Sequence, residues 1–262
     1  MNFQIFLSVP WIIKASTSQG GIHIERYTAV FQRKEIKYLL SDAQLASLMP
    51  ILEQHMEPDA FPHSSIANLY YDTPDFRMIR RSLEKTGYKE KLRLRSYGIP
   101  DGATQVFPEI KKKALGIVYK RRVSMPYTQA LAYLSGSRPG PDGQIYRELD
   151  WMLAAYPSLA PRVFLSYERD SWQGLEDPSL RLTLDRDILY RTHGLDLRQG
   201  IWGDAILAPG QTLMEVKIPG AAPLWLAQAF SELGIFPTSF SKYGEAFKRI
   251  QKEHRLEYRR YA

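Results

Sequence analysis

Polar and apolar residues alternate with a period of two in segment after segment of this chain, and the polar positions are mostly cationic. In Lys89-Glu90-Lys91-Leu92-Arg93-Leu94-Arg95, the side chains of Lys89, Lys91, Arg93 and Arg95 fall on one face of a strand and the leucines on the other. The same pattern places Glu35 and Lys37 together, then Glu109, Lys111 and Lys113, then Lys120 and Arg122. It continues with Tyr167 and Arg169, with Arg181, Thr183 and Asp185, and with Glu215 and Lys217. Strands are therefore expected over residues 27–40, 65–72, 89–97, 104–112, 117–125, 162–171, 180–190 and 212–218.

Helical spacing separates them. Ser41-Asp42 caps a helix carrying Leu45, Leu48, Ile51 and Leu52, which Pro50 should bend or interrupt. Thr73 can cap a second helix with Pro74 at its first position. Two more helices are predicted within 127–156, divided by a Gly/Pro/Ser-rich surface loop at 135–143, and the last two over 223–233 and 243–257.

Strands that each carry one cationic and one apolar face fit an α+β fold built on a largely antiparallel, closed β-barrel, with a charged lumen and flanking helices. Such a lumen is not a packed core. Like charges held close in a partly desolvated space repel by about several kcal/mol unless neutralised, so the lumen calls for a highly anionic ligand and a divalent cation.

The bulk composition narrows the class. The chain has 262 residues, with 35 Lys+Arg against 28 Asp+Glu, a formal charge of +7 that suits an anionic partner. Because the basic residues alternate within strands instead of running together, a groove or tunnel is favoured over an open nucleic-acid surface, and no nucleic-acid partner is expected. There is no cysteine, which excludes disulfides and thiolate metal sites and agrees with a cytoplasmic location. The five histidines have no ligand spacing. The apolar patch at 5–13 is too short to span a bilayer, and residues 1–24 are expected to be a poorly ordered leader before a single domain over 25–262. With no transmembrane segment expected, any membrane partner would be a separate protein.

These motifs, in this order, resemble the catalytic domain of the vacuolar transporter chaperone (VTC) complex, the polyphosphate polymerase of the triphosphate tunnel (CYTH-like) metalloenzymes. The resemblance runs from Glu25 to Lys252. It rests on Lys37-Tyr38, on Arg93 and Arg95 in Leu-Arg-Leu-Arg-Ser-Tyr-Gly, on Glu109 with Lys111, and on Lys120 with Arg122. Tyr167 with Arg169, Arg181 with Asp185, Glu215 in Met-Glu-Val-Lys, and Ser241-Lys242-Tyr243 complete it. One departure stands out. The hydrolase and cyclase branches open with Glu-x-Glu-x-Lys, where this chain has Arg33-x-Glu35-x-Lys37, which places it nearer the polymerase branch.

The resemblance implies transfer of the γ-phosphoryl group of ATP to a growing inorganic polyphosphate chain. Lys37, Arg93, Arg95, Lys111, Arg169 and Lys242 would be catalytic cations, and Lys91, Lys120, Arg122, Tyr167, Arg181, Lys217 and Ser241 would hold substrate. Glu215, with Glu109 or Asp185, would bind Mn2+ or Mg2+. Water in place of the polymer end would give a triphosphatase of the same fold, and loss of turnover would leave a polyphosphate or nucleotide sensor.

Overall fold

The computed structural model describes residues 34–84, 87–114, 117–137 and 140–261, with side chains up to Glu253. The expected leader, the start of the first predicted strand and Arg33 lie outside the described residues.

The elements run β1 (Lys34–Ser41), α1 (Asp42–His55), β2 (Met56–Asp72), α2 (Arg77–Leu83), β3 (Tyr88–Tyr97), β4 (Gln105–Ala114), β5 (Ile117–Arg122) and β6 (Met125–Pro126). They continue with α3 (Tyr127–Leu134), α4 (Gln144–Ala155), β7 (Ala160–Gly174), β8 (Arg181–Arg191), β9 (Asp204–Ala205), β10 (Gln211–Ile218), α5 (Leu224–Glu232), β11 (Pro237–Thr238) and α6 (Lys242–Tyr261). The strands form one antiparallel sheet in the order β11-β1-β10-β8-β7-β2-β3-β4-β5, with β6 beside β4 and β9 beside β8.

The expected closed barrel is not formed. Among the described residues β5 pairs only with β4, and β11 only with β1, so the ladder has two free edges. The edges themselves explain this: β11 has two residues, one of them Pro237, which has no N–H to offer, and β5 is short and ends in Lys120-Arg121-Arg122. The sheet nevertheless curls far enough for side chains to meet across the gap. Lys111 of β4 reaches the Glu35 carboxylate of β1 at 3.8 Å, although no backbone bonds join those strands.

Helices cover the convex side. α3 and α4 bury Tyr127, Ala130, Leu134, Leu149 and Met152 against Leu69, Leu92, Leu94 and Ile110 of β2, β3 and β4. α1 and α5 bury Leu48, Leu52, Leu226 and Phe230 against Tyr38, Leu40, Leu182, Leu184, Met214 and Val216 of β1, β8 and β10. Each large apolar side chain removed from water here contributes roughly 1.5–3 kcal/mol, which gives the apolar faces of these strands their partner. α6 packs differently. Its Tyr243, Ala246, Phe247 and Ile250 join Tyr70, Val163, Leu165, Tyr167 and Leu213, residues in phase with the charged face, so it covers one end of the concave side.

Two helix expectations need correction. α1 passes through Pro50 uninterrupted, since Pro50 sits on its exposed side and α1 is anchored by a capping box between Ser41 and Gln44. α2 begins at Arg77, not at Pro74, after Phe76 in a left-handed conformation (φ 57°). Thr73 nevertheless caps it as expected, its Oγ1 accepting from Arg77 N at 2.9 Å, and the buried Asp72 carboxylate accepts from Met78 N at 2.9 Å and Ile79 N at 3.0 Å.

Candidate functional site

The concave face gathers the charged residues of β1, β10, β8, β7, β2, β3, β4 and β5, because antiparallel register aligns their polar positions. Lys37 sits opposite Glu215, Glu215 opposite Thr183, and Asp185 opposite Arg169. Farther along the sheet, Asn68 faces Arg95, Tyr70 faces Arg93, Arg93 faces Glu109, and Glu109 faces Arg122. Two buried carboxylate centres organise these groups.

At the first, Glu109 is 1% exposed and accepts from Arg93 Nε at 2.8 Å and Nη2 at 2.6 Å, and from Arg122 Nε at 2.5 Å. Lys120 lies at 3.1 Å and Arg95 at 4.0 Å. Burial alone would raise the Glu109 pKa, but Arg93, Arg95, Lys120 and Arg122 hold it well below the usual carboxylate range. Arg95 is fixed by donating to Asn68 Oδ1 at 2.9 Å and to the Tyr167 hydroxyl at 2.9 Å.

The second centre pairs Asp185 with Glu215. Arg169 grips Asp185 bidentately at 2.6 and 2.7 Å and lies 3.5 Å from Glu215 Oε2. Lys242, at the start of α6, donates to Glu215 Oε1 at 3.0 Å and touches Asp185. Lys37 is 3.4 Å from Glu215, 3.6 Å from Glu35, and donates to the Phe240 carbonyl at 3.0 Å. Burial opposes both charges here, yet the mutual attraction wins: Glu215 is held far below its ordinary pKa, and Lys242 is pushed up to about 12 by Asp185 and Glu215. The Tyr167 ring joins the two centres, with Arg169 5.1 Å and Lys242 4.6 Å from its centroid and its hydroxyl on Arg95.

The remaining predicted residues divide. Lys91 donates to Ser241 Oγ at 3.0 Å and has no carboxylate partner among the described residues. Burial, together with Lys111, Lys37 and Arg93 nearby, brings its pKa down to about 8. Lys217 is likewise lowered by burial and by Arg169. Lys111 is half exposed, its ammonium 3.8 Å from the Glu35 carboxylate. Arg181 stands apart from both centres, bound to Asp59 at 2.5 Å near the rim.

Two participants are legible only in the structure. Tyr70 accepts from Arg93 Nη1 at 3.1 Å and stacks on Tyr243 at 4.4 Å, and Asn68 orients Arg95. Their signal was the alternation Asn68-Leu69-Tyr70-Tyr71, in which two bulky tyrosines conceal the polar phase.

The family model of the VTC domain matches residues 32–250. The chain belongs to the VTC domain family. The solved structure of a Bacillus halodurans protein provisionally assigned as an adenylate cyclase is similar at 15% identity and a TM-score of 0.50, over 80% of this chain and 95% of that one. A Vibrio parahaemolyticus protein with the same provisional assignment matches at 12% identity and a TM-score of 0.43, over 82% and 97% of the two chains. The first of these likenesses speaks to the fold alone. None of the curated proteins matches. In this VTC domain, no helix among the described residues is long and apolar enough to cross a membrane.

Whether the carboxylates suit a divalent cation depends on their free oxygens. Among the described residues no group of three or more His, Asp or Glu side chains could hold a metal unaided. Glu109 does not fit, since both its oxygens are taken by Arg93, Arg122 and Lys120. Glu215 does fit, because its Oε2 has only the 3.5 Å contact with Arg169, and the neighbouring buried Thr183 hydroxyl has no hydrogen-bond partner. A hard cation there would complete its shell from phosphate oxygens and water.

Proposed function

We propose that this VTC domain is a metal-dependent polyphosphate polymerase that moves the γ-phosphoryl group of ATP onto the end of an inorganic polyphosphate chain. The observation that carries the reading is the convergence of cations from separate strands on one concave face around only a few buried carboxylates. Phosphoryl transfer needs in-line placement and neutralisation of charge spread over the moving group and the leaving oxygens, and it needs little else from the protein.

Each residue has a part that follows from its chemistry. Arg93, Arg95, Arg122 and Arg169, whose Nε and Nη2 edges are engaged within the protein, offer their remaining N–H groups to phosphate oxygens, while Lys37, Lys91, Lys111, Lys120, Lys217 and Lys242 act as point charges. Mn2+ or Mg2+ would be held by Glu215 and would supply further charge neutralisation, whereas Asp185, both of whose oxygens are taken by Arg169 and Lys242, does not fit as a ligand. A terminal phosphate oxygen of the polymer attacks Pγ, a new P–O–P bond forms, the Pβ–O–Pγ bridge breaks on the Pγ side, and ADP leaves with the electron pair. The nucleophile is already an anion at neutral pH, so the protein need not remove a proton. Arg181, already committed to Asp59, would serve at most the outer part of the channel.

Purified protein incubated with γ-labelled ATP and Mn2+ tests this. The expected product is acid-insoluble labelled polyphosphate together with ADP. Release of free phosphate alone would favour the triphosphatase reading, and tight binding without turnover would favour a sensor.

A further inference from the structure

Beyond the phosphate-binding charges, the concave face carries one aromatic group that the polyanion chemistry does not use. Along β3 the inward positions run Lys91, Arg93, Arg95 and then Tyr97, and on β4 Phe107 follows Glu109 in the same phase. Tyr97 therefore lies about 7 Å beyond Arg95 along the strand. It lies at the far end of β3 from Lys91, which donates to Ser241 beside the start of α6.

The two rings meet edge to face, with centroids 5.7 Å apart and planes at 76°. Arg122 ties them to the phosphate region. Its Nη2 donates to the Tyr97 hydroxyl at 3.1 Å, its guanidinium lies 4.4 Å from the Phe107 centroid, and its Nε binds Glu109 at 2.5 Å. Tyr97 is 45% exposed, whereas Tyr70 and Tyr167 on the same face are 6% and 3% exposed. The turn after Tyr97 is pinned, since Asp101 Oδ1 accepts from Ala103 N at 2.9 Å and Thr104 N at 2.7 Å. An open aromatic face is thus held beside a cation that reaches the phosphate site.

We propose that Tyr97, Phe107 and Arg122 form a stacking subsite for the purine base of a nucleoside triphosphate whose phosphates extend toward Arg95 and Glu109. This rests on the nucleotide-using reading above and gives its substrate a preferred direction in the channel. Stacking tolerates any planar base, so ATP and GTP should both bind better than inorganic tripolyphosphate, which has nothing to place on the ring.

The test compares the binding of ATP and of tripolyphosphate, each with Mn2+, to the intact protein. Tyr97→Ala is expected to weaken ATP binding roughly ten-fold or more while changing tripolyphosphate binding less than about two-fold, and Tyr97→Phe should retain ATP affinity. Equal losses for both ligands, or no loss for ATP, would overturn the subsite while leaving the polymerase reading intact. Failure of the wild-type protein to bind either ligand would defeat both. Photolabelling of the wild-type protein with 8-azido-ATP needs no variant. Label confined to β5 and the β3–β4 hairpin, around Tyr97 and Phe107, supports the proposal, and label elsewhere contradicts it.

Discussion

Buried cations on the concave face are held in check by surprisingly few acids, and each acid carries a disproportionate electrostatic burden. Glu109 is surrounded by Arg93, Arg95, Lys120 and Arg122. Removing its charge with Glu109→Gln leaves those cations uncompensated, which should cost about 3–5 kcal/mol of stability in urea denaturation. Tripolyphosphate should restore much of that loss, because the ligand replaces the missing anion; a variant as stable as wild type without ligand would contradict this account. Lys91 gives a pH signature. Its pKa falls from 10.5 unfolded to about 8 folded, so the folded chain pays for its charge at low pH, and this group makes the protein more stable as pH rises from about 8 toward 10.5. A bound polyanion reverses the preference. Binding of tripolyphosphate near pH 8.5 should therefore take up protons, seen as a dependence of the calorimetric heat on buffer ionisation enthalpy, and Lys91→Gln should reduce the uptake. Absence of uptake in the wild-type protein would refute that assignment. At this scale the sequence was informative, because strand phase alone collected the cations. It concealed Tyr70 and Asn68, whose polar ends meet Arg93 and Arg95 directly opposite them on β3 from within a segment that otherwise reads as apolar.

Elements position these side chains through contacts that spacing does not reveal. Asp72 ends β2, caps α2, and accepts from the Tyr243 hydroxyl of α6 at 2.9 Å. Lys242 precedes Tyr243, so a carboxylate outside the candidate phosphate site anchors the turn of α6 from which Lys242 reaches Glu215. Asp72→Ala should lower stability by about 2–4 kcal/mol, from the lost cap and the stranded tyrosine, and should weaken tripolyphosphate binding as well. Tyr243→Phe tests the same path more gently. Unchanged ligand affinity in a folded Asp72→Ala protein would remove Asp72 from the positioning path. The sequence placed a helix start near Thr73 because Thr-Pro is a common N-terminal signal, yet Phe76 in the left-handed region delays α2 to Arg77. Thr73 still caps α2 by accepting from Arg77 N at 2.9 Å, and Asp72 takes the next two N–H groups, a share that the spacing of Thr-Pro does not show.

Across the whole molecule, the alternating pattern was enough to indicate a curled antiparallel sheet with a charged interior and a helical exterior. It could not indicate whether the ladder closes. Closure depends on edge strands, and here one edge is the dipeptide Pro237-Thr238 while the other is the short, basic β5. One ion pair, between Glu35 of β1 and Lys111 of β4, spans strands that share no backbone bonds. The central claim is that the cations of this curled sheet form one polyphosphate-binding channel. A crystal structure of the protein with tripolyphosphate and Mn2+ tests it most directly. The account predicts phosphorus positions on the concave face between Glu109 and Glu215, with Mn2+ against Glu215; phosphate bound on the convex, helix-covered side, with the channel cations still paired only to Glu109, Asp185 and Glu215, would contradict it.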